Sequence, residues 1–164
     1  MKKQTIFTTI LLLIFVSFFN ASAQKADLTG EWKINRDKSV ITEGQLLLSK
    51  ITIQLKSDSL ITTRVYESGD GQEYPFDEKI SLDGKDNKLV IYDMPRTSTA
   101  THSDSDGSLM IASTTTFNGN NGMEDMVAKE TWKLDTDGKF LTLVFTNKMS
   151  GNETTGTYFY EKAK

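Results

Sequence analysis

The sequence predicts an all-β protein, an antiparallel up-and-down β-barrel of about eight to ten strands. Three observations support this fold class. Apolar and polar residues alternate from Gly30 onward, the connections share one turn composition, and only one segment could be helical. The alternation is clearest where Ile51, Ile53 and Leu55 are separated by polar residues. A strand with one face buried and one face in water has this pattern.

About ten such runs follow one another along the chain. After the opening strand and the run around Ile51, strands are predicted at Leu60–Glu67, Phe76–Leu82, Leu89–Tyr92, Arg96–His102, Leu109–Phe117, Met126–Leu134, Phe140–Asn147 and Thr155–Lys162. A meander of this length has two unpaired edges unless it closes on itself, and closure removes the risk of edge-to-edge aggregation. We therefore expect a barrel.

The connections between these runs are rich in Asp, Asn, Gly and Ser, which tolerate the positive φ of tight turns. Four of them predict hairpins: Lys56–Leu60, Asp83–Leu89, Asp104–Leu109 and Asp135–Leu141. The acidic turns lack the first and twelfth carboxylates of a calcium loop, so no metal site is expected. The remaining segment, Arg36–Ser49, is either a loop or a short helix that caps one mouth of the barrel.

The first residues have the pattern of a signal peptide over residues 1–23. Lys2 and Lys3 precede an apolar run from Ile10 to Val16, and Ala21-Ser22-Ala23 supplies the small residues of a cleavage site. The run is shorter than the roughly 20 residues that span a bilayer. We expect export to the periplasm or the exterior, no membrane span after cleavage, and a single domain over residues 24–164.

Charge and cysteine content narrow the possible functions. The net charge of −3 becomes −5 when Lys2 and Lys3 are removed, and a mildly acidic surface does not favour nucleic acid as a partner. Cysteine is absent, so thiolate metal sites and cysteine nucleophiles are excluded and core packing alone must stabilise the domain. No cofactor is expected, and the sequence leaves the oligomeric state undetermined.

Four motifs in chain order resemble secreted lipocalin-like, calycin-type β-barrel proteins of the kind common in Bacteroidota. They are Leu-Thr-Gly-x-Trp-x-x-Asn-x-x-x-Ser at Leu28–Ser39, Leu-Asp-Gly-Lys at Leu82–Lys85, Trp-x-Leu-x-x-Asp-Gly-Lys-x-Leu-Thr-Leu at Trp132–Leu143, and the closing Thr-Tyr-Phe-Tyr-Glu-Lys. The resemblance covers essentially all of residues 24–164. It implies an up-and-down barrel of a kind that often binds small hydrophobic molecules, but it assigns no particular ligand and no binding residue.

The resemblance also implies a structural plug at one end of the barrel. Gly30 would let the chain pass close beneath the barrel, and Trp32 would close the end. A basic side chain from a late strand usually meets such an indole, and Lys162 is the candidate here, where lipocalins normally have arginine. A cation over an indole face contributes roughly 0.5–2 kcal/mol, depending on desolvation.

Several charged residues share the strand face of apolar residues. Arg64 is in phase with Tyr66, Glu78 with Phe76, and Glu130 with Trp132. Inward-facing charges are costly unless they are paired or hydrated. These six residues are therefore the candidate ligand-binding set, as the polar end and wall of a small cavity. The alternatives are a buried structural ion pair, or a bulge that turns the charges outward.

The functional hypothesis is an exported protein that binds a small hydrophobic or amphipathic molecule in its barrel. The main alternative is a non-catalytic envelope interaction module with a filled barrel, which contacts a protein or glycan through its loops. The sequence favours a non-catalytic role without deciding against an enzyme. The single histidine, His102, has no recognisable catalytic partner motif, and a hydrolase would have to use Glu78 and Glu130 as its two carboxylates.

Overall fold

A computed structural model describes residues 27–42, 45–103, 105–119 and 122–163. The predicted signal peptide, residues 1–23, lies outside the described residues. Over the part of the chain that is described, there is no helix long and apolar enough to cross a membrane.

The described chain forms ten antiparallel strands, which confirms the predicted all-β up-and-down barrel. The strands are β1 (Gly30–Ile34), β2 (Leu47–Leu55), β3 (Ser59–Glu67), β4 (Glu73–Ser81), β5 (Asn87–Ile91), β6 (Met94–His102), β7 (Leu109–Gly119), β8 (Gly122–Leu134), β9 (Phe140–Met149) and β10 (Asn152–Lys162). The segment Arg36–Ser49, where a loop or a short helix was expected, is a loop of turns and irregular backbone over the described residues up to 46. Its last three residues belong instead to β2.

The first and last strands pair with each other and so bend the meander round on itself. The strand order is β4-β3-β2-β1-β10-β9-β8-β7-β6-β5, and the β1 to β10 register places Trp32 opposite Lys162 and Ile34 opposite Tyr160. Every adjacent pair is antiparallel. The result is a nearly closed barrel, compatible with a lipocalin-like fold.

Among the ten described strands the barrel has one seam, between β4 and β5, where no backbone ladder forms. The hairpin predicted at Asp83–Leu89 is therefore wrong, because these residues connect the two strands that border the seam. Side chains bridge the gap instead. The Ser81 amide donates to Asn87 Oδ1 at 3.1 Å, and the Tyr92 hydroxyl donates to the Pro75 carbonyl at 2.6 Å.

The end of the barrel at the start of β1 is filled by a compact hydrophobic core. Its largest members are Trp32 and Trp132, both fully buried. Trp32 Nε1 donates to the Leu28 carbonyl at 2.9 Å, so its one polar atom is satisfied although it is out of water. Leu28 and Tyr160 belong to the same core cluster. Tyr160 donates its hydroxyl to the Leu48 carbonyl at 2.9 Å.

Gly30 and Lys162 lie against the Trp32 indole at this end. Lys162 Nζ is 5.4 Å from the ring centroid of Trp32, within reach of a cation–π interaction. Gly30 has a φ of +144°, and a Cβ placed there would be 2.7 Å from Lys162 Cε. A side chain at position 30 would therefore strain the backbone and displace the lysine from the indole.

We predict that Trp32→Ala lowers the free energy of unfolding by about 3–5 kcal/mol, because it leaves a large cavity in a closed, well-packed end. Urea unfolding followed by circular dichroism measures the change. Val144→Ala is the control, since Val144 is half exposed on β9. Equal unfolding midpoints for the two variants would refute the assignment of Trp32 as the plug.

Candidate functional site

The half of the barrel away from Trp32 is hollow. It contains a cavity of about 1090 Å³, slightly larger than the roughly 300–1,000 Å³ typical of ligand pockets. The cavity reaches the surface between the β3–β4 connection, at Gln72, and the β9–β10 turn, at Ser150. Both of these residues are exposed. The cavity is therefore open to solvent at this end of the barrel.

Most of the cavity wall is apolar or aromatic. It includes Leu48, Tyr66, Phe76, Ile91, Phe117, Met126, Leu143, Phe145 and Tyr158. The rings of Tyr66 and Phe76 stack with centroids 5.9 Å apart and planes 6° apart, and those of Phe145 and Tyr158 lie 4.8 Å apart. The Phe145 ring covers Gly156, where a Cβ would come within 2.5 Å of the ring. Only glycine at position 156 leaves room for this ring position.

A buried ion pair crosses the barrel interior beside this wall. Arg64 on β3 donates from Nη1 to Glu130 Oε1 on β8 at 2.7 Å, and the second oxygen of Glu130 accepts from Trp132 Nε1 at 2.8 Å. The Arg64 guanidinium also lies 5.0 Å from the Trp132 ring centroid. Both oxygens of the Glu130 carboxylate are thus paired, which offsets the cost of removing the charge from water.

A second ion pair continues this arrangement across the seam. Arg96 on β6 donates to the two oxygens of Glu78 on β4, at 2.9 Å from Nε and 3.3 Å from Nη2. Glu78 also lies 3.8 Å from Arg64 Nε. Arg96 Nη1 donates to Thr115 Oγ1 at 3.0 Å. Four charges therefore alternate in sign inside the barrel, in the order Glu130, Arg64, Glu78, Arg96. We call them the ion-pair chain.

The pKa shifts of Glu78 and Arg64 both favour the charged form of the side chain. Burial acts to raise the pKa of Glu78, but Arg64 and Arg96 outweigh it and hold the pKa below its ordinary value. Burial acts to lower the pKa of Arg64, but Glu130 and Glu78 raise it above its ordinary value. Burial also raises the pKa of the Tyr66 hydroxyl, which stays neutral at physiological pH.

The six predicted binding residues all lie in this interior, in two groups. Tyr66, Phe76 and Glu130 line the cavity. The other three, Arg64, Glu78 and Trp132, are buried behind the wall, where they support Glu130 and Arg96. The charges pair with one another, as in the alternative of a buried structural ion pair. Glu130 and Arg96 of this network are also part of the cavity wall.

The sequence reasoning missed Arg96 and Thr115, both of which line the cavity. A signal for Arg96 was present, because it lies in phase with Ser98 and Ala100, on the strand face opposite Thr97 and Thr99. Ser98 and Ala100 are buried, so the phase of β6 points Arg96 inward. Its partner Glu78 could not be deduced in the same way, since the two strands do not pair.

Comparison with protein-family models, with curated proteins and with solved structures gives no match for this chain.

We predict that Glu78→Gln destabilises the protein at pH 7 by about 3–5 kcal/mol, because two buried guanidinium groups lose a charged partner. The variant should also lose less of its free energy of unfolding than the wild type does when the pH is lowered from 7 to 3. The pKa of Glu78 is lowered from 4.5 in the folded state, so its contribution is present above about pH 4.5 and is lost as the pH falls through the folded value. Urea unfolding from pH 7 to pH 3 measures both effects.

Asp77→Asn is the matched control for this variant. Asp77 precedes Glu78 on β4 and is exposed, so the same chemical change on the outer face should alter stability by less than about 1 kcal/mol. If the free energy of unfolding falls as steeply from pH 7 to pH 3 in Glu78→Gln as in the wild type, the Glu78 carboxylate does not cause this pH dependence.

Proposed function

We propose that this protein binds a small apolar or amphipathic molecule inside its barrel and has no catalytic role. The observation that carries the proposal is the cavity of about 1090 Å³ in a barrel whose other end is densely packed. Protein interiors normally contain few voids larger than a water molecule. An apolar, open-ended cavity of this size is therefore best explained by an occupant.

The polar groups of the cavity also favour a binding role. Arg96, Thr115 and Glu130 line it together with many apolar and aromatic side chains. Ligand sites commonly combine a large apolar surface with a few fixed polar groups that orient the molecule. The ion-pair chain fixes two of these groups, since each is bonded to a second buried charge. Little side-chain freedom is then lost when a ligand binds.

The proposed setting is the periplasm or the cell exterior, as a secreted lipocalin-like protein of the calycin type. The signal-peptide pattern at residues 1–23 and the motif that contains Gly30 and Trp32 support this part of the proposal. Trp32 is buried at one end of the barrel with Lys162 over its ring, which agrees with the closed end implied by the family resemblance.

The two other hypotheses receive less support from the geometry. An interaction module with a filled barrel does not account for the cavity, although its exposed loops remain available to a partner. A carboxylate hydrolase needs a protonated acid in an open cleft. Glu78 is buried behind the cavity wall, and its two arginine partners lower its pKa. Glu78 is therefore ionised and shielded from any substrate in the cavity.

We predict that Ala128→Phe abolishes or strongly weakens binding of a neutral apolar dye, N-phenyl-1-naphthylamine. Ala128 on β8 lines the cavity, so a phenyl group there fills the space that the dye would occupy. Ala112→Phe is the matched control, because Ala112 on β7 is exposed and lies next to Lys129 of β8 in the strand register. Dye fluorescence on titration with each protein gives the dissociation constants.

We expect the wild type and Ala112→Phe to bind the dye equally and Ala128→Phe to bind at least about tenfold more weakly. Absence of dye binding to the wild type would overturn the proposal. Native mass spectrometry of the protein extracted from its own host provides a separate test. A co-purified small molecule that Ala128→Phe no longer carries would support the proposal and identify the natural ligand.

A further inference from the structure

We propose that the ligand is an amphipath with an uncharged hydrogen-bonding head group, such as a long-chain alcohol, ester or amide, and is neither a carboxylate nor an amine. This inference rests on the proposed binding function. It narrows that function to one chemical class of ligand, through the charge balance of the cavity.

The ion-pair chain is neutral as a unit. Two guanidinium groups face two carboxylates, at N–O distances of 2.7 Å for Arg64 with Glu130 and 2.9 Å for Arg96 with Glu78. Arg64 also links the two pairs, at 3.8 Å from Glu78. Each guanidinium of the ion-pair chain already has a carboxylate partner. An incoming anion would therefore find no unbalanced cation there.

The other charged groups at the cavity give no support to an anionic ligand. Among the described residues that line it, only Glu73, Arg96 and Glu130 carry a charge. Arg96 and Glu130 belong to the ion-pair chain, and Glu73 is exposed at the start of β4. A ligand carboxylate would thus enter past a negative charge and lie in an apolar cavity with no excess cation, where an ionised group is strongly disfavoured.

A ligand carboxylate could only gain a cation by displacing Glu130 or Glu78. Displacement of Glu130 would break its bonds to Arg64 and to Trp132 Nε1, and would leave its own charge buried without partners. Displacement of Glu78 would break two bonds from Arg96. An ammonium ligand has the converse difficulty, because both carboxylates already have a cation. Removal of one partner from a buried pair is strongly unfavourable.

Uncharged hydrogen-bonding groups are available in the cavity wall. Asn147 on β9 and Thr154 and Tyr158 on β10 line it with side-chain donors and acceptors, and burial raises the pKa of Tyr158, which keeps its hydroxyl neutral. Thr115 accepts from Arg96 and has its own hydroxyl proton to donate. These groups can pair with a hydroxyl, ester or amide without disturbing the ion-pair chain.

The test compares ligands that share one alkyl chain and differ only in the head group. The competitors are dodecan-1-ol, dodecanoate and dodecylammonium, each used below its aggregation concentration. Each competes with N-phenyl-1-naphthylamine for binding to the protein of residues 24–164 at pH 7. We expect the alcohol to displace the dye at concentrations on the order of tenfold lower than either ion. Equal or tighter binding of dodecanoate or dodecylammonium would overturn the inference.

A charge variant provides an independent arm of the experiment. Glu130→Gln leaves the ion-pair chain with one uncompensated guanidinium and a net positive charge beside the cavity, so the ratio of dodecanoate to dodecan-1-ol affinity should rise on the order of tenfold. Glu153→Gln is the control, because Glu153 is exposed on β10 and the variant changes the net charge equally. The same rise in both variants, or no rise in a folded Glu130→Gln, would overturn the inference.

The outcomes separate this inference from the proposed function. If the wild type binds neither the dye nor any dodecyl compound, binding itself is refuted and the inference fails with it. If it binds the dye and prefers dodecanoate, binding stands and only the neutral head group is refuted. If Glu130→Gln does not fold, Arg96→Gln is used in its place. This variant gives the ion-pair chain a net negative charge, so the ratio of dodecylammonium to dodecan-1-ol affinity should rise.

Discussion

The ion-pair chain is the constraint on which the rest of the barrel interior depends. Its four charges come from four strands, β3, β4, β6 and β8, and all four side chains are buried. A buried charge that loses its partner is far more costly than one that never left solvent. The barrel must therefore bring these strands into one arrangement that satisfies every charge, and a shifted register would leave at least one of them unpaired.

The same chain contributes to closing the barrel where the backbone does not. At the seam, β4 and β5 share no ladder, and the bonds from Arg96 to Glu78 connect β6 with β4 on the inside of the wall. Asn87 and Tyr92 make the corresponding connections along the seam itself. Side chains thus replace backbone hydrogen bonds across the seam between β4 and β5.

The ion-pair chain also separates the packed half of the barrel from the hollow half. On one side the Arg64 guanidinium faces the Trp132 ring, and the core continues from there to Trp32 and Leu28. On the other side Arg96 and Glu130 form part of the cavity wall. The charged groups are held by their partners on the packed side, and Arg96 and Glu130 also face the cavity, where they form a rigid polar surface. In the proposed binding role, the electrical neutrality of these groups disfavours a charged head group.

The sequence by itself determined the all-β class, about ten strands and the inward phase of Arg64, Glu78 and Glu130. These properties follow from local alternation, since the side chains of a strand point to opposite faces in turn. The sequence did not decide whether Arg36–Ser49 is a loop or a short helix, because no local pattern distinguishes the two. The position of Trp32 in the core came from its motif and not from alternation.

Only the tertiary structure decided the seam, the pairing of Glu78 with Arg96 and the hollow half of the barrel. Turn composition predicted a hairpin at Asp83–Leu89, but a turn signal shows only that the chain reverses, and not that the flanking strands hydrogen-bond. Glu78 and Arg96 lie on strands that are not neighbours in the sheet, so no periodicity connects them. Whether inward side chains fill a barrel or leave it empty depends on its diameter and on how the side chains pack across it, and both are set by closure of the whole sheet.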